Sequence, residues 1–301
     1  MTCPHSKTKD LYRYDGISLT QCQECFLIFN NSYSQHLSPE DLYQNYYDGE
    51  TGSRFHFGME LLVRLFRLIR AFKITTIAPE ARRILDVGSG RGFMLYYLKK
   101  YWGYERAVGT QISSSAVQFS RRELGLDIIE RDLLEVQLDE RFDIITIWHV
   151  LEHVQNPEKY VEKMRDLLKP GGKLIVEVPN FSSWSRPITG KYWLGLDPCY
   201  HVSFFSPVSL CGLLSRYGFK IRKVHTFSLE YSAFISAQSL LSFLTRSDQY
   251  LFQWLQHPRM ELRIVGHLSI FLLLLPVCLI VNLALFFSKK GEVLLVVAEK
   301  T

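Results

Sequence analysis

The chain has 301 residues, of which 47% are hydrophobic and 14% aromatic, so it can bury one large core with an appendage. Its formal net charge of +5 is mild, and no nucleic-acid partner is predicted from it. No apolar run opens the chain and its six cysteines show no disulfide framework, which predicts a protein without a secretory signal in a reducing cytosol.

The first predicted element is a zinc-ribbon-like segment, residues 1–37. Its candidate metal ligands form two pairs on either side of a short alternating stretch, namely Cys3 with His5 and Cys22 with Cys25. Two ligand pairs on facing knuckles are how a structural zinc ion stabilises a module too small for a core. The pattern predicts one structural zinc. A ribbon that has lost its metal is the alternative, because Cys-x-His is a tight pair, and His36 is a more distant substitute ligand.

A helical region, residues 38–81, is predicted next. Ser38 and Pro39 are typical of a helix N-terminus. Further on, residues 59–77 place basic side chains at three-residue steps among many leucines: Arg64, Arg67, Arg70 and Lys73. We expect this basic amphipathic helix to pack on a sheet with its basic face in solvent. Binding of that face to an anionic bilayer is the alternative.

The most informative segment is residues 84–92, an apolar strand that runs into a glycine-rich turn. The turn has almost no side chains, so a ligand can lie against its backbone amides and a helix N-terminus; its residues include Gly88, Ser89, Gly90 and Gly92. Phe93 occupies the position where the dinucleotide-binding fingerprint needs its last small residue, so a nicotinamide or flavin cofactor fits poorly. Asp86 would repel a pyrophosphate but attract an ammonium group. The turn therefore predicts a cationic, adenosine-containing ligand.

Four further strands alternate with helical patterns, at residues 106–112, 128–132, 142–148 and 173–178. This alternation is typical of a parallel sheet covered by helices on both faces. Together with the glycine turn, two strings resemble the class I S-adenosylmethionine-dependent methyltransferases, of type 11 or 23. They are H-V-L-E-H-V, which directly follows the fourth strand, and K-P-G-G-K-L, which leads into the fifth. The resemblance covers residues 82–228 and 291–301. It implies a Rossmann-like α/β fold with seven strands, the last of them antiparallel.

The resemblance also implies that the cofactor is S-adenosylmethionine and which residues hold it. Asp86 and the glycine turn match positions that hold the methionine moiety. Gln111 stands where a carboxylate normally accepts hydrogen bonds from the ribose, and we expect weaker binding because an amide lacks the charge. Asp132, followed by Leu133, matches the residue that contacts the adenine amino group, and an acid that caps the next turn is the alternative. His149 completes this set.

Active sites of open α/β sheets lie beyond the carboxyl ends of the strands, where two histidines are candidates. His201 lies in a long aromatic loop after the fifth strand, and His149 directly follows the fourth. An imidazole suits removal of a hydroxyl proton as the oxygen attacks a sulfonium methyl group. We predict His201 as the catalytic base, with His149 second; a His201 that only caps its loop is the alternative. No catalytic magnesium is predicted. The resemblance also implies that residues 38–48 form a lid that crosses the cofactor.

An insertion, residues 229–290, precedes the last strand, and the family pattern does not account for it. Its residues 264–287 are apolar and long enough to cross a bilayer. A single crossing would separate the last strand from its sheet, and Pro276 is expected to divide the run into halves too short to cross alone. We predict a re-entrant or interfacial helical hairpin. A pair of spans and a buried homodimer interface are the alternatives.

Three functions fit these features. The preferred one is an S-adenosylmethionine-dependent O-methyltransferase that acts on a small-molecule or lipid-linked, amphipathic acceptor. It would work as a peripheral or monotopic protein at the cytoplasmic face of a membrane. The second is a sugar C- or O-methyltransferase of glycan biosynthesis. The third is a non-catalytic cofactor-binding scaffold, which Gln111 permits, although the histidines of the acceptor side argue against it.

Overall fold

A computed structural model of the chain describes residues 3–14, 16–32, 57–256 and 261–301. The predicted lid at residues 38–48 and His36 lie outside these ranges. The strands within them are β1 (Thr8–Tyr14), β2 (Ile17–Cys22), β3 (Ile28–Asn30), β4 (Arg83–Val87), β5 (Arg106–Thr110), β6 (Asp127–Ile129), β7 (Phe142–Trp148), β8 (Leu168–Pro179), β9 (Ser203–Phe204), β10 (Phe219–His225) and β11 (Val293–Lys300).

Helices alternate with the strands of the central region and form the insertion. They are α1 (Phe57–Ile77), α2 (Phe93–Trp102), α3 (Ser114–Leu124), α4 (Pro157–Leu167), α5 (Arg186–Thr189), α6 (Pro207–Arg216), α7 (Ser232–Thr245), α8 (Tyr250–Gln256) and α9 (Arg263–Ala284). Their ends follow local signals. Ser206, for example, caps α6 by accepting a hydrogen bond from the amide of Ser209 at 3.2 Å.

Seven strands form the larger sheet, in the order β10-β11-β8-β7-β4-β5-β6. Strands β8 to β6 in this order are parallel, whereas β11 runs antiparallel to both of its neighbours. Successive residues of β4 face opposite core layers, Ile84 on one side and Leu85 on the other. The predicted Rossmann-like class with an antiparallel last strand is thereby confirmed.

The amino-terminal ribbon begins a second sheet that it shares with the loop between β8 and β9, which carries His201 and is called the acceptor loop below. Strands β1, β2 and β3 form an antiparallel meander, and β3 pairs with β9, where Ile28 lies opposite Phe204. Asn30 donates from its amide to the carbonyl groups of Pro198 and His201, at 2.9 and 3.0 Å. The ribbon therefore holds the backbone of the loop that carries His201.

Helix α1 has the opposite orientation to the one predicted. Arg67 and Arg70 point inward and pair with Glu230 at 2.6 and 2.8 Å, and Arg70 is only 8% exposed. Ala71 and Ile74 pack in the core next to them. The expected solvated basic face was wrong for these two arginines, because burial of Glu230 without a positive partner would cost more than exposure of aliphatic side chains.

In the insertion, α9 packs along α7. Asn282 donates to the hydroxyl of Ser236 at 2.9 Å across this contact. Helix α9 runs unbroken through Pro276, so the expected division into two halves was wrong; packing on α7 keeps both parts in line despite the lost backbone hydrogen bond. Among the described residues, α9 alone is long and apolar enough to cross a membrane, by length and composition, and 22% of its apolar window is buried.

Candidate functional site

The glycine turn follows β4 at the carboxyl edge of the sheet. Gly88, Gly90 and Gly92 have φ values of 70°, 55° and 74°, a left-handed backbone that favours glycine. A Cβ atom on Gly88 would lie 2.4 Å from Cγ2 of Val150, so the turn passes close to the segment that carries His149. The N-terminus of α2 opens directly after Gly92 and leaves backbone amides for a ligand.

Asp86 is buried at the end of β4, just before this turn. Its Oδ1 atom accepts a hydrogen bond from the Thr146 hydroxyl at 2.6 Å. Burial raises the pKa of Asp86 to about 6, against the opposing effects of Thr146 and of Arg70. A buried carboxylate that lacks a fully compensating charge is suited to bind a cationic ligand group.

Gln111 and Asp132, two further predicted cofactor residues, make local hydrogen bonds. The side-chain carbonyl of Gln111 accepts from the amides of Ile112 and Ser113, at 2.8 and 3.1 Å. Asp132 accepts from the amide of Leu134 at 2.8 Å and from the Tyr160 hydroxyl. Asp132 thus caps the turn after β6, as the alternative interpretation required, and both residues still lie beside the carboxyl edge of the sheet.

Three side chains of the acceptor side lie together: Glu152, His153 and His201, with ligand atoms within 4.8 Å of one another. The Nδ1 atom of His201 lies 3.0 Å from the Gly195 carbonyl, and that of His153 lies 3.1 Å from the Tyr200 carbonyl. Because a carbonyl only accepts, each Nδ1 carries the proton and each Nε2 is the basic atom.

The environment of this cluster keeps both histidines neutral. Burial lowers the pKa of His153 to about 4, and it also lowers the pKa of His201. Burial opposes ionisation of Glu152, but His149 and the other nearby histidines together outweigh it and lower the pKa, so the carboxyl is ionised. Two neutral imidazoles with one carboxylate can act as bases or hold a divalent cation, a possibility that the sequence analysis missed because His201 is distant in the chain.

His149 has the opposite protonation. It has a φ of 52° and lies between two carboxylates, with Nδ1 3.3 Å from Glu152 and Nε2 3.3 Å from Glu177. Burial opposes the charge, but Glu152 and Glu177 outweigh it and raise the pKa of His149 to about 9. His149 therefore carries a proton at neutral pH, which does not suit a general base.

Four further residues lie at the site but were not predicted as site residues from the sequence: Arg70, Glu177, Glu230 and Tyr231. The guanidinium of Arg70 lies over the Trp148 ring at 4.2 Å, and the Tyr231 ring lies 4.4 Å from His149. Glu177 had one signal, because it is an acid within the otherwise apolar residues 174–179 of strand β8. Glu230 and Tyr231 had none, since only the fold brings the start of the insertion to His149.

The predicted zinc ligands also come together, with ligand atoms within 4.8 Å of one another. The sulfur atoms of Cys3 and Cys22 are 3.7 Å apart, and Nδ1 of His5 is 3.4 Å from the sulfur of Cys25. Tetrahedral zinc with bonds of about 2.3 Å to sulfur separates two sulfur ligands by about 3.8 Å and sulfur from nitrogen by about 3.5 Å. The four side chains therefore fit a zinc ion.

Comparisons with known proteins find similarity to methyltransferases. A family model for the methyltransferase domain matches residues 59–224. The ubiquinone biosynthesis O-methyltransferase of Coxiella burnetii (strain RSA 493 / Nine Mile phase I) is 30% identical over 131 residues, which are 40% of this chain and 55% of that protein. The chain thus spans about half the length of that relative.

Two other similarities cover more of the chain. The mitochondrial ubiquinone biosynthesis O-methyltransferase of Schizosaccharomyces pombe is 25% identical over 221 residues, 69% of either protein. A solved SAM-dependent methyltransferase from Archaeoglobus fulgidus is 20% identical, with a TM-score of 0.48, over 78% of this chain and 94% of the other.

Replacement of Asp86 by Asn tests its role toward the cofactor. Binding of S-adenosylhomocysteine, measured by calorimetry at pH 8, should weaken by at least about tenfold, because the ammonium loses a charged acceptor. Since burial raises the pKa of Asp86 to about 6, the native affinity should fall as the pH is lowered from about 8 to 5. That fall should disappear in Asp86→Asn and persist in the exposed control Asp139→Asn. Equal pH dependence in all three proteins would remove Asp86 from the site.

Replacement of Gln111 by Glu should tighten S-adenosylhomocysteine binding by about three- to tenfold. One carboxylate oxygen can keep the amides of Ile112 and Ser113, which leaves the other to accept from the ribose. Calorimetry at pH 8 measures the change, and Gln137→Glu at an exposed position is the control. Unchanged or weaker binding would show that Gln111 does not face the ribose.

Proposed function

The chain belongs to the methyltransferase-domain family of class I S-adenosylmethionine-dependent enzymes, and we propose that it methylates a hydroxyl oxygen of a lipid-linked or amphipathic acceptor at a membrane surface. The observation that carries the proposal is the fixed tautomer of His201, whose Nδ1 faces the Gly195 carbonyl at 3.0 Å. The relatives named ubiquinone biosynthesis O-methyltransferase support oxygen as the methylated atom.

The residues of the glycine turn fit the cofactor in shape and charge. Gly88, Gly90 and Gly92 hold the turn in a left-handed backbone that leaves amides for the ligand. Asp86 offers a buried carboxylate for the ammonium group. Gln111 would contact the ribose, and Asp132 with Leu133 would border the adenine. S-adenosylmethionine, when bound there, supplies an electrophilic methyl group on a sulfonium.

The two histidines, His201 and His149, would have different roles, one as a base and the other as a positive charge. The Nε2 atom of His201 would accept the hydroxyl proton of the acceptor. Burial lowers the pKa of His201 and so leaves Nε2 unprotonated at neutral pH, and the carboxylate of Glu152 would stabilise the imidazolium that forms. His149, held between Glu152 and Glu177, would place a positive charge beside the oxygen that becomes negative. A non-catalytic scaffold would need neither the neutral nor the charged histidine.

A membrane location is supported by the insertion. Helix α9 exposes large apolar side chains along its length, among them Leu272, Leu273, Val277 and Ile280. Removal of such a surface from water is worth roughly 25 cal/mol for each Å², and soluble surfaces rarely leave it bare. Because β11 returns to the sheet after α9, the insertion would enter one leaflet from the side of the catalytic domain and return.

We also propose that Cys3, His5, Cys22 and Cys25 bind one structural zinc ion. The fit of their distances to a tetrahedral site supports it. The ribbon shares its sheet with the acceptor loop, so the ion would stabilise the backbone around His201 indirectly.

His201→Gln is the sharpest test of the catalytic base. Glutamine is similar in size but cannot take a proton, so the rate should fall by about 10²–10⁴-fold while binding of S-adenosylhomocysteine stays within about twofold. The assay follows conversion of S-adenosylmethionine to S-adenosylhomocysteine by full-length protein supplied with an organic-solvent extract of membranes. His225→Gln on β10 is the control. Full activity of His201→Gln would exclude His201 as the base.

Protein purified without added zinc should contain about one zinc ion per chain by elemental analysis. Cys22→Ser should lose the metal, whereas Cys211→Ser on α6 should keep it. Because the ribbon supports the acceptor loop, the zinc-free variant should also methylate more slowly with unchanged cofactor affinity. A native protein without zinc would contradict the proposed site.

A further inference from the structure

Helix α1 exposes one continuous apolar stripe to solvent. Leu61, Leu65, Ile69 and Phe72 follow one another at steps of four, four and three residues, which is one face of a helix. These side chains are 68%, 49%, 39% and 58% exposed. Large apolar side chains in a row on one helix face mark a surface that another apolar phase covers.

The opposite face of α1 is fixed, so the helix cannot rotate to hide this stripe. Arg67 and Arg70 are bound to Glu230, and Arg70 also lies 3.8 Å from Glu177. Rotation would break these buried ion pairs and leave buried charges without partners, which is strongly destabilising. The exposed stripe is therefore an obligatory consequence of the buried arginines.

The same ion pairs make α1 a neighbour of the insertion. Glu230 lies just before α7, and α7 packs along α9. Helix α9 is itself mostly uncovered and long enough to enter a bilayer. Basic residues stand at both of its ends, Arg263 at the first and Lys289 with Lys290 after the second, where they can reach lipid headgroups.

We propose that the α1 stripe is a second membrane-contacting element, which enters the same leaflet as α9. This inference rests on the membrane location proposed above and adds the orientation of the catalytic domain. The first turns of α1 border the cofactor turn, because Glu60 pairs with Arg64 at 2.8 Å and with Arg91 beside Gly90. Contact of α1 with lipid therefore brings the cofactor end of the sheet to the bilayer surface, where an acceptor with an apolar tail resides.

Lipid quenching of a fluorescent probe tests this orientation. Single cysteines replace Leu65 or Phe72 on α1, Leu273 on α9 and, as an exposed helical control, Arg122 on α3. Each variant is full-length protein in which the two native cysteines that are not buried are replaced by Cys199→Ser and Cys211→Ser. Each cysteine is labelled with an environment-sensitive dye and mixed with phosphatidylcholine–phosphatidylglycerol vesicles with and without nitroxide-labelled acyl chains. We expect emission at positions 65, 72 and 273 to shift to the blue and lose at least about half of its intensity to the nitroxide, with no change at 122.

The outcomes separate the two proposals. Quenching at 273 but not at 65 or 72 would overturn the α1 inference and leave the membrane location of the insertion intact. Quenching at none of these positions would overturn the membrane location itself. A probe at position 65 whose emission is already shifted to the blue without lipid would also overturn the inference, because the position would then be covered by protein. A shift that depends on protein concentration would indicate a second copy of the chain, and a shift that does not would indicate cover by residues 33–56.

Discussion

The buried carboxylate of Glu177 is the constraint on which much of the site depends. It lies at the carboxyl end of β8, where an unpaired charge would be costly, and it is flanked by His149 at 3.3 Å and Arg70 at 3.8 Å. Arg70 then pairs with Glu230, which joins the insertion to the sheet. Glu177 and Glu230 together explain why α1 turns its arginines inward and why the insertion begins beside the candidate site. Glu177 also acts with Glu152 to keep the proton on His149.

The two candidate histidines differ because their partners differ. His149 faces two carboxylates, so its pKa rises to about 9. His201 faces the Gly195 carbonyl, and burial lowers its pKa. Environments that push the pKa values of two nearby groups apart are typical of sites that need both a base and a charge-stabilising group. The proposed division of roles follows from this contrast. The ribbon holds the loop that carries His201 through Asn30.

The features that sequence could predict are those encoded locally. The glycine turn, Asp86 at the strand end and the alternation of strands with helices each depend on a few consecutive residues, and the structure has all of them. The orientation of α1 could not be predicted, because its periodicity is equally compatible with either face inward and the choice depends on Glu230, far along the chain. Continuity of α9 through Pro276 depends likewise on packing against α7. The contact of Tyr231 with His149 arises only from the path of the insertion.

The most direct test of the central claim identifies the methylated product. Full-length protein is incubated with S-adenosylmethionine that carries a trideuterated methyl group and with a lipid extract and an aqueous extract of the source organism, and each mixture is analysed by mass spectrometry. We expect a labelled methyl group on an oxygen atom of a molecule from the lipid extract. A label confined to water-soluble sugars, or attached to carbon or nitrogen, would contradict it.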